Sequence, residues 1–162
     1  MLIGILSDSH GRHRIVRQAV DLFDRLGASF LIHCGDVGGE PVFEELAGRP
    51  CAFVWGNTDS PDGGIVAFLQ TVGISVPTAI PTMLTLDGKR FAVFHGHERE
   101  FGRNLATLPV DFVLHGHTHV RRDERLGGLR VINPGALHRA SPLSVATLDP
   151  SRDELAFHEI KK

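Results

Sequence analysis

Five short polar clusters carry the side chains best suited to chemistry: Asp8-Ser9-His10, Gly35-Asp36, Gly56-Asn57-Thr58-Asp59, His95-Gly96-His97 and His115-Gly116-His117-Thr118-His119. Each follows a short apolar run. Histidine is over-used, with 10 copies, and five of them (His95, His97, His115, His117, His119) fall between residues 95 and 119. Imidazole is the commonest metal ligand and titrates near neutrality, so such clustering asks for a site before it asks for packing. Asp carboxylates, an Asn carbonyl and neutral imidazoles suit Mn²⁺, Fe²⁺, Zn²⁺ or Ni²⁺. The lack of thiolate in these clusters argues against a structural zinc or iron–sulfur site.

Taken singly, each residue has a plainer reading. Asp8 and Asp36 would serve as turn acids, Asn57 as an Asx-turn residue, and His95 and His117 as hydrogen-bonded core histidines. Taken together, Asp8, His10, Asp36, Asn57, His95, His117 and His119 are more ligands than one tetrahedral ion needs. Two ions sharing a carboxylate would use them all, and a metal pair roughly 3.5–4 Å apart is the hydrolytic arrangement for in-line displacement at phosphorus.

The elements that must position these clusters are legible from apolar runs. Residues 2–6, 30–33, 52–55, 91–94 and 112–115 read as strands covered on both faces. In open α/β sheets ligands gather at the carboxyl ends of strands, so the five clusters are expected to converge. Residues 14–26 carry apolar side chains at helical spacing, with Gly27 placed to stop the helix. Residues 41–47 predict a second helix led by Pro41, and residues 62–71 a third, with Ser60-Pro61 as its cap and first turn. A hairpin is expected from 83–86 and 90–94 around Asp87-Gly88-Lys89. Further strands are expected at 120–126, 129–132, 143–148 and 154–160. Strand–helix alternation followed by hairpins predicts an α/β domain with mixed sheets.

The 162 residues suit one domain spanning 1–162. A net charge of −2 with scattered Lys and Arg lacks the basic stripe of a nucleic-acid binder, so no stable nucleic-acid partner is expected. The opening run lacks a basic leader region and reads as a strand rather than a signal peptide. No run approaches the roughly 18 apolar residues of a membrane span. Cys34 and Cys51 lie in apolar runs without CxxC spacing and read as reduced thiols, so the expected compartment is cytoplasmic.

The order Asp-x-His, Gly-Asp, Gly-Asn-x-Asp, Gly-His after an apolar run, and Gly-His-x-His resembles the calcineurin-like metallophosphoesterase superfamily. It is most similar to the small bacterial and archaeal phosphodiesterase branch. Asn133-Pro134-Gly135-Ala136 is similar to that branch's Asn-Pro-Gly-Ser segment. The resemblance implies a four-layer αββα sandwich with two mixed β-sheets. It also implies two divalent cations, Mn²⁺ first with Fe, Zn or Ni as substitutes. Asp8, His10 and His119 would hold the first ion, Asn57, His95 and His117 the second, and Asp36 would bridge them. The implied activity is hydrolysis of a small phosphate ester, most simply a diester, by in-line attack of a metal-bridging hydroxide, with Asp36, Asn57 and His95 at the reacting centre; His97, on the same turn as His95, is a further catalytic candidate from its position alone.

One position departs from the family pattern. Many relatives follow the motif Asn with a His, or a Cys in the small phosphodiesterases, that protonates the leaving group; here Thr58 stands there, and a hydroxyl holds its proton too tightly for that task. Asp59 is then as well suited to capping the Ser60-Pro61 helix start as to catalysis. His97 is a candidate substitute acid or phosphate contact, against a solvent-facing alternative. His33, His115, His13, His138 and His158 read as histidines with hydrogen-bonded rings. A retromer subunit keeps this fold as a protein-interaction scaffold, so a metal-binding scaffold with little catalysis is the competing reading. Self-association is left open.

Overall fold

A computed structural model describes residues 1–102 and 104–162. Its two five-stranded sheets have the orders β10-β9-β1-β2-β3 and β4-β5-β6-β8-β7. β1 (Ile3–Leu6), β2 (Phe30–His33) and β3 (Cys51–Phe53) run parallel, linked by α1 (His13–Leu26) and α2 (Glu40–Leu46). In the second sheet β5 (Lys89–Val93), β6 (Phe112–Leu114) and β8 (Leu129–Asn133) run parallel. Antiparallel strands flank each set: β9 (Leu143–Asp149) and β10 (Glu154–Ile160) in the first sheet, β4 (Thr82–Leu86) and β7 (Arg122–Leu126) in the second.

Strand side chains alternate faces, which is how one apolar run serves two cores. Ile3, Ile5 and Ile32 meet Phe91, Phe112, Leu114 and Ile132 between the sheets. Leu6, Leu31 and Phe53 instead face the helices, packing on Ile15, Val16, Val20, Phe23, Val42 and Phe43. The amphipathic face of α1 is therefore buried as its spacing requires. Its end at Gly27 is left-handed (φ 79°), with the Ala28 N–H returning to the Phe23 carbonyl at 2.9 Å. Phe23 is fully buried, and truncating it to Ala would cost about 3–5 kcal/mol.

The chain is thus an α/β sandwich of two mixed sheets. The helices α1, α2 and α3 (Gly63–Thr71) cover one outer face. On the other, Ala92, Phe94, Val113 and Val131 are covered by Phe101, Leu105, Leu108 and Val110, and the regular structure among the described residues there is one 3₁₀ turn, Leu105–Thr107.

Three local expectations are corrected. Asp62 caps α3, accepting from the Ile65 N–H at 3.0 Å, so Ser60-Pro61 lies ahead of the cap. β3 ends at Phe53; the Val54 N–H still bonds the His33 carbonyl at 3.1 Å, and Trp55 lies beyond the strand. The β4–β5 hairpin turns on Asp87 and Gly88 alone, both with positive φ, and Lys89 already pairs with Leu86.

Candidate metal centre

All five clusters leave the carboxyl ends of parallel strands and meet at one end of the sandwich. The first sheet's loops are held by backbone bonds: Asp8 N to Gly35 O at 3.0 Å, His10 N to Asp36 O at 2.9 Å and Gly11 N to Val37 O at 2.9 Å. The second sheet joins them through the His117 N–H, which donates to Asp8 Oδ2 at 3.0 Å, and through His95 Nδ1, 2.8 Å from the Cys34 carbonyl.

That last contact fixes a tautomer. A carbonyl only accepts, so Nδ1 carries the proton and Nε2 presents a lone pair inward. Nε2 then faces Asn57 Oδ1 at 3.1 Å and Asp36 Oδ2 at 3.4 Å. Asp36 Oδ2 also lies 3.4 Å from His10 Nε2, while Asp8 Oδ1 lies 3.1 Å from His119 Nε2. His117 stands beside His95, ring centroids 5.1 Å apart. The structure therefore brings all seven sequence candidates together. Two overlapping sets, Asp8–His10–His119 and Asp8–Asp36–His95, have ligand atoms mutually within 4.8 Å.

The donor set fits divalent cations on the structure's own terms. Asp8 Oδ1 and His10 Nε2 are buried and make no hydrogen bond. Buried polar atoms without hydrogen bonds are costly, and a cation among these carboxylate oxygens and imidazole nitrogens would satisfy them at once. Each carboxylate has one oxygen anchored and one directed inward. Asp8 Oδ2 accepts from Ser7 Oγ at 2.6 Å, and Asp36 Oδ1 accepts from the Thr58 N–H at 2.9 Å. Burial works to raise the Asp36 pKa, but hydrogen bonds from Thr58, helped by His95 and His10, outweigh it and hold the carboxyl below its ordinary value.

The backbone is shaped for this cluster. Asp8, His10, Asp36, His117 and His119 all adopt positive φ, between 46° and 67°. Left-handed backbone in residues with a side chain costs about 1–3 kcal/mol each and gathers where function over-determines geometry. At Gly56 and Gly116 the constraint is space: a Cβ at Gly56 would strike the Asp36 carboxylate and N–H, and one at Gly116 would strike Ser7 Oγ and Asp8 Oδ2.

His97 is exposed at the rim, its ring 5.3 Å from His95 and 6.2 Å from His117. Asp59 does not cap α3; its carboxylate accepts from the N–H groups of Val37, Gly38 and Gly56 and so ties the Asp36 loop to the Asn57 loop. His33 bonds Ser9 Oγ at 2.8 Å, and burial first, then His95, pushes its pKa down to about 3, so the ring is neutral. His115 is likewise lowered to about 4, chiefly by burial. His138 lies against His10 at 4.8 Å between centroids, and its Nδ1 is buried without a partner, unlike the hydrogen-bonded ring expected of it.

Sequence reasoning missed Glu98. Its side chain is 5% exposed, and its two oxygens accept from the His95 and Gly96 N–H groups at 2.6 Å each, which pins the turn that aims His95. The His-x-x-Glu spacing was the available signal, masked by the charged run Glu98-Arg99-Glu100. Asn133 plays a similar part, donating to the Gly116 carbonyl at 2.9 Å and to Thr118 Oγ1 at 3.1 Å.

A sandwich of this order, with carboxylates, an amide and imidazoles meeting at its strand ends, defines a metallophosphoesterase. Residues 1–153 match the calcineurin-like phosphoesterase superfamily domain, and the chain belongs to that superfamily, whose members use divalent metal ions. It is similar to Phosphodiesterase MJ0936 of Methanocaldococcus jannaschii, 28% identical over 138 residues that cover 83% of each chain. It is also similar to Phosphodiesterase YfcE of Escherichia coli strain K12, 29% identical, covering 92% of this chain and 88% of that one. A solved archaeal phosphodiesterase superposes with a TM-score of 0.88 at 25% identity, over 99% of this chain and 100% of its own.

Proposed function

We propose that the chain is a dinuclear metal-dependent phosphodiesterase acting on small phosphate esters. The observation that carries this reading is the position of Asp36 Oδ2, 3.4 Å from both His10 Nε2 and His95 Nε2. A carboxylate oxygen shared between two imidazole groups would serve two cations, one held by Asp8, His10 and His119 and the other by Asn57, His95 and His117. When bound, the cations supply Lewis-acid activation of water and neutralise charge on the phosphoryl oxygens. Mn²⁺ is the metal we expect, with Fe, Zn or Ni as alternatives.

The chain's own residues set the rest. Glu98 and the Cys34 carbonyl orient His95, Ser7 and the His117 N–H orient Asp8, and Thr58 holds one oxygen of Asp36 through its N–H. Thr58 does not protonate a leaving group near neutrality. His97, at the rim beside His95 and His117, is the side chain we assign to a phosphate oxygen or a departing alkoxide. Good leaving groups are therefore favoured, and with Mn²⁺ a bis-aryl phosphate should be hydrolysed faster than an aliphatic monoester. Equal or inverted rates would discard that argument. Stoichiometric metal without turnover of any ester would favour the scaffold reading instead. Cys34 and Cys51 are both free, which supports a reducing, cytoplasmic setting. No helix among the described residues is long and apolar enough to cross a membrane.

A further inference from the structure

Beside the candidate metal centre lies a cavity of about 360 Å³, walled by Val54, Trp55, Ala79, Ile80, Val93 and Glu98 among others. Its place follows from strand direction. Val54 and Trp55 leave the carboxyl end of β3 just before Gly56-Asn57, and Val93 closes β5 just before Phe94-His95. Thr82, which starts β4, pairs with Val93, so the segment before it, with Ala79 and Ile80, is carried to that same end. Glu98 is a wall of the cavity while its carboxylate holds the His95 and Gly96 N–H groups. Cavity and metal centre thus share a side chain on one flank and the Trp55-Gly56-Asn57 backbone on the other.

The lining says what fits. Two valines, a proline, an alanine, an isoleucine and an indole make the wall mostly apolar, with Thr78 and Thr82 as its uncharged polar members, and the volume suits one ring with a short linker. Among the described residues the one charged wall residue is an acid, Glu98, which disfavours a second phosphate or a carboxylate. Ile80 is 64% exposed, an apolar side chain left standing at the mouth. Trp55 is wedged edge-on against Phe53 at 4.8 Å and Phe43 at 6.1 Å, so its ring is a fixed surface. A phosphate monoester has no second organic group to place here; a diester has one, and this lining suits one without charge.

We infer that this cavity binds one ester substituent of the substrate, and that the substituent is an uncharged aromatic or apolar group. The inference rests on the phosphodiesterase reading and narrows its substrate class. It also adds a determinant separate from leaving-group acidity, because the cavity recognises a ring whether or not that ring departs.

Trp55 is the chain's single tryptophan, which provides a readout independent of turnover. Full-length protein in Mn²⁺ would be titrated with diphenyl phosphate and with dimethyl phosphate while Trp55 emission is followed. Diphenyl phosphate should perturb the emission saturably, at an affinity about tenfold or more above that for dimethyl phosphate. Ala79→Phe, at an exposed position where the new ring fills the cavity, and Ile80→Glu, which adds like charge at its mouth, should each remove that preference. Unchanged emission with diphenyl phosphate, or a preference for it that persists undiminished in both variants, would overturn the proposal. In parallel, bis(4-nitrophenyl) phosphate and methyl 4-nitrophenyl phosphate share a leaving group, and the first should have the higher kcat/KM. Saturable emission changes with no hydrolysis of either ester would sink the phosphodiesterase reading while leaving the cavity assignment standing.

Discussion

The two ends of the sandwich spend their polar groups differently. Away from the metal centre, where β8 begins and β9 turns into β10, charges are matched. Arg130 reaches Asp123 at 2.7 and 2.8 Å and Asp153 at 2.8 Å, and Arg125 also pairs with Asp153. At the opposite end, Asp8 Oδ1 and His10 Nε2 are buried without a hydrogen bond among the described residues, and five of the seven candidate ligands sit on left-handed backbone. The first arrangement satisfies itself. The second is complete only with cations, and its local cost is borne by the sheets and helices beneath it. Stability and function are thus separated along the strand axis, which substitutions can test.

The largest effect is expected at Asp36. Asp36→Ala removes the oxygen shared by both imidazole groups, so turnover should fall to background and metal content, measured on dialysed protein, should fall with it. Gly116→Ala comes next. Its methyl group meets Ser7 and Asp8, so we expect loss of activity together with about 1–3 kcal/mol of stability in urea unfolding. Retained activity would mean that the packing at that loop is not needed.

Glu98→Gln should cost about 10–100-fold in metal affinity or activity, as for other groups that orient a ligand from behind, with little change in the unfolding midpoint. Arg130→Met reverses that pattern at the other end. Its guanidinium is 11% exposed and its hydrogen bonds are charge-assisted, so about 1–3 kcal/mol of stability should go while kcat/KM stays within about twofold.

The smallest effect is in acid. The Arg130 hydrogen bond holds the Asp123 carboxyl below its ordinary value. A depressed folded-state pKa gives stability that is complete above the unfolded pKa, about 3.9, and fades as the pH falls through the folded value. Melting temperatures from pH 7 down to 3 should therefore drop more steeply in the wild type than in Arg130→Met below about pH 4.

These contrasts also explain what the sequence revealed. The strands were legible because burial on both faces leaves unbroken apolar runs, and the ligands because their residue types cluster at strand ends. Asp62 against Ser60 as the α3 cap was not legible, since either side chain can accept an N-terminal hydrogen bond and only the path of the loop decides. The capping role offered for Asp59 failed for a related reason: its partners Val37 and Gly38 lie 22 and 21 residues away in the chain. Glu98 looked like one member of a solvated charge run until the turn folded its carboxylate under His95. His138 follows a segment whose return to His10 depends on β8 and β9 closing the two sheets, a tertiary event with no local signature.

Anomalous diffraction from crystals grown in Mn²⁺ tests the central claim most directly. Two peaks flanking the Asp36 carboxylate, one toward His10 and His119 and the other toward Asn57 and His117, are the predicted result. Manganese bound elsewhere, with no peak among these side chains, would contradict it.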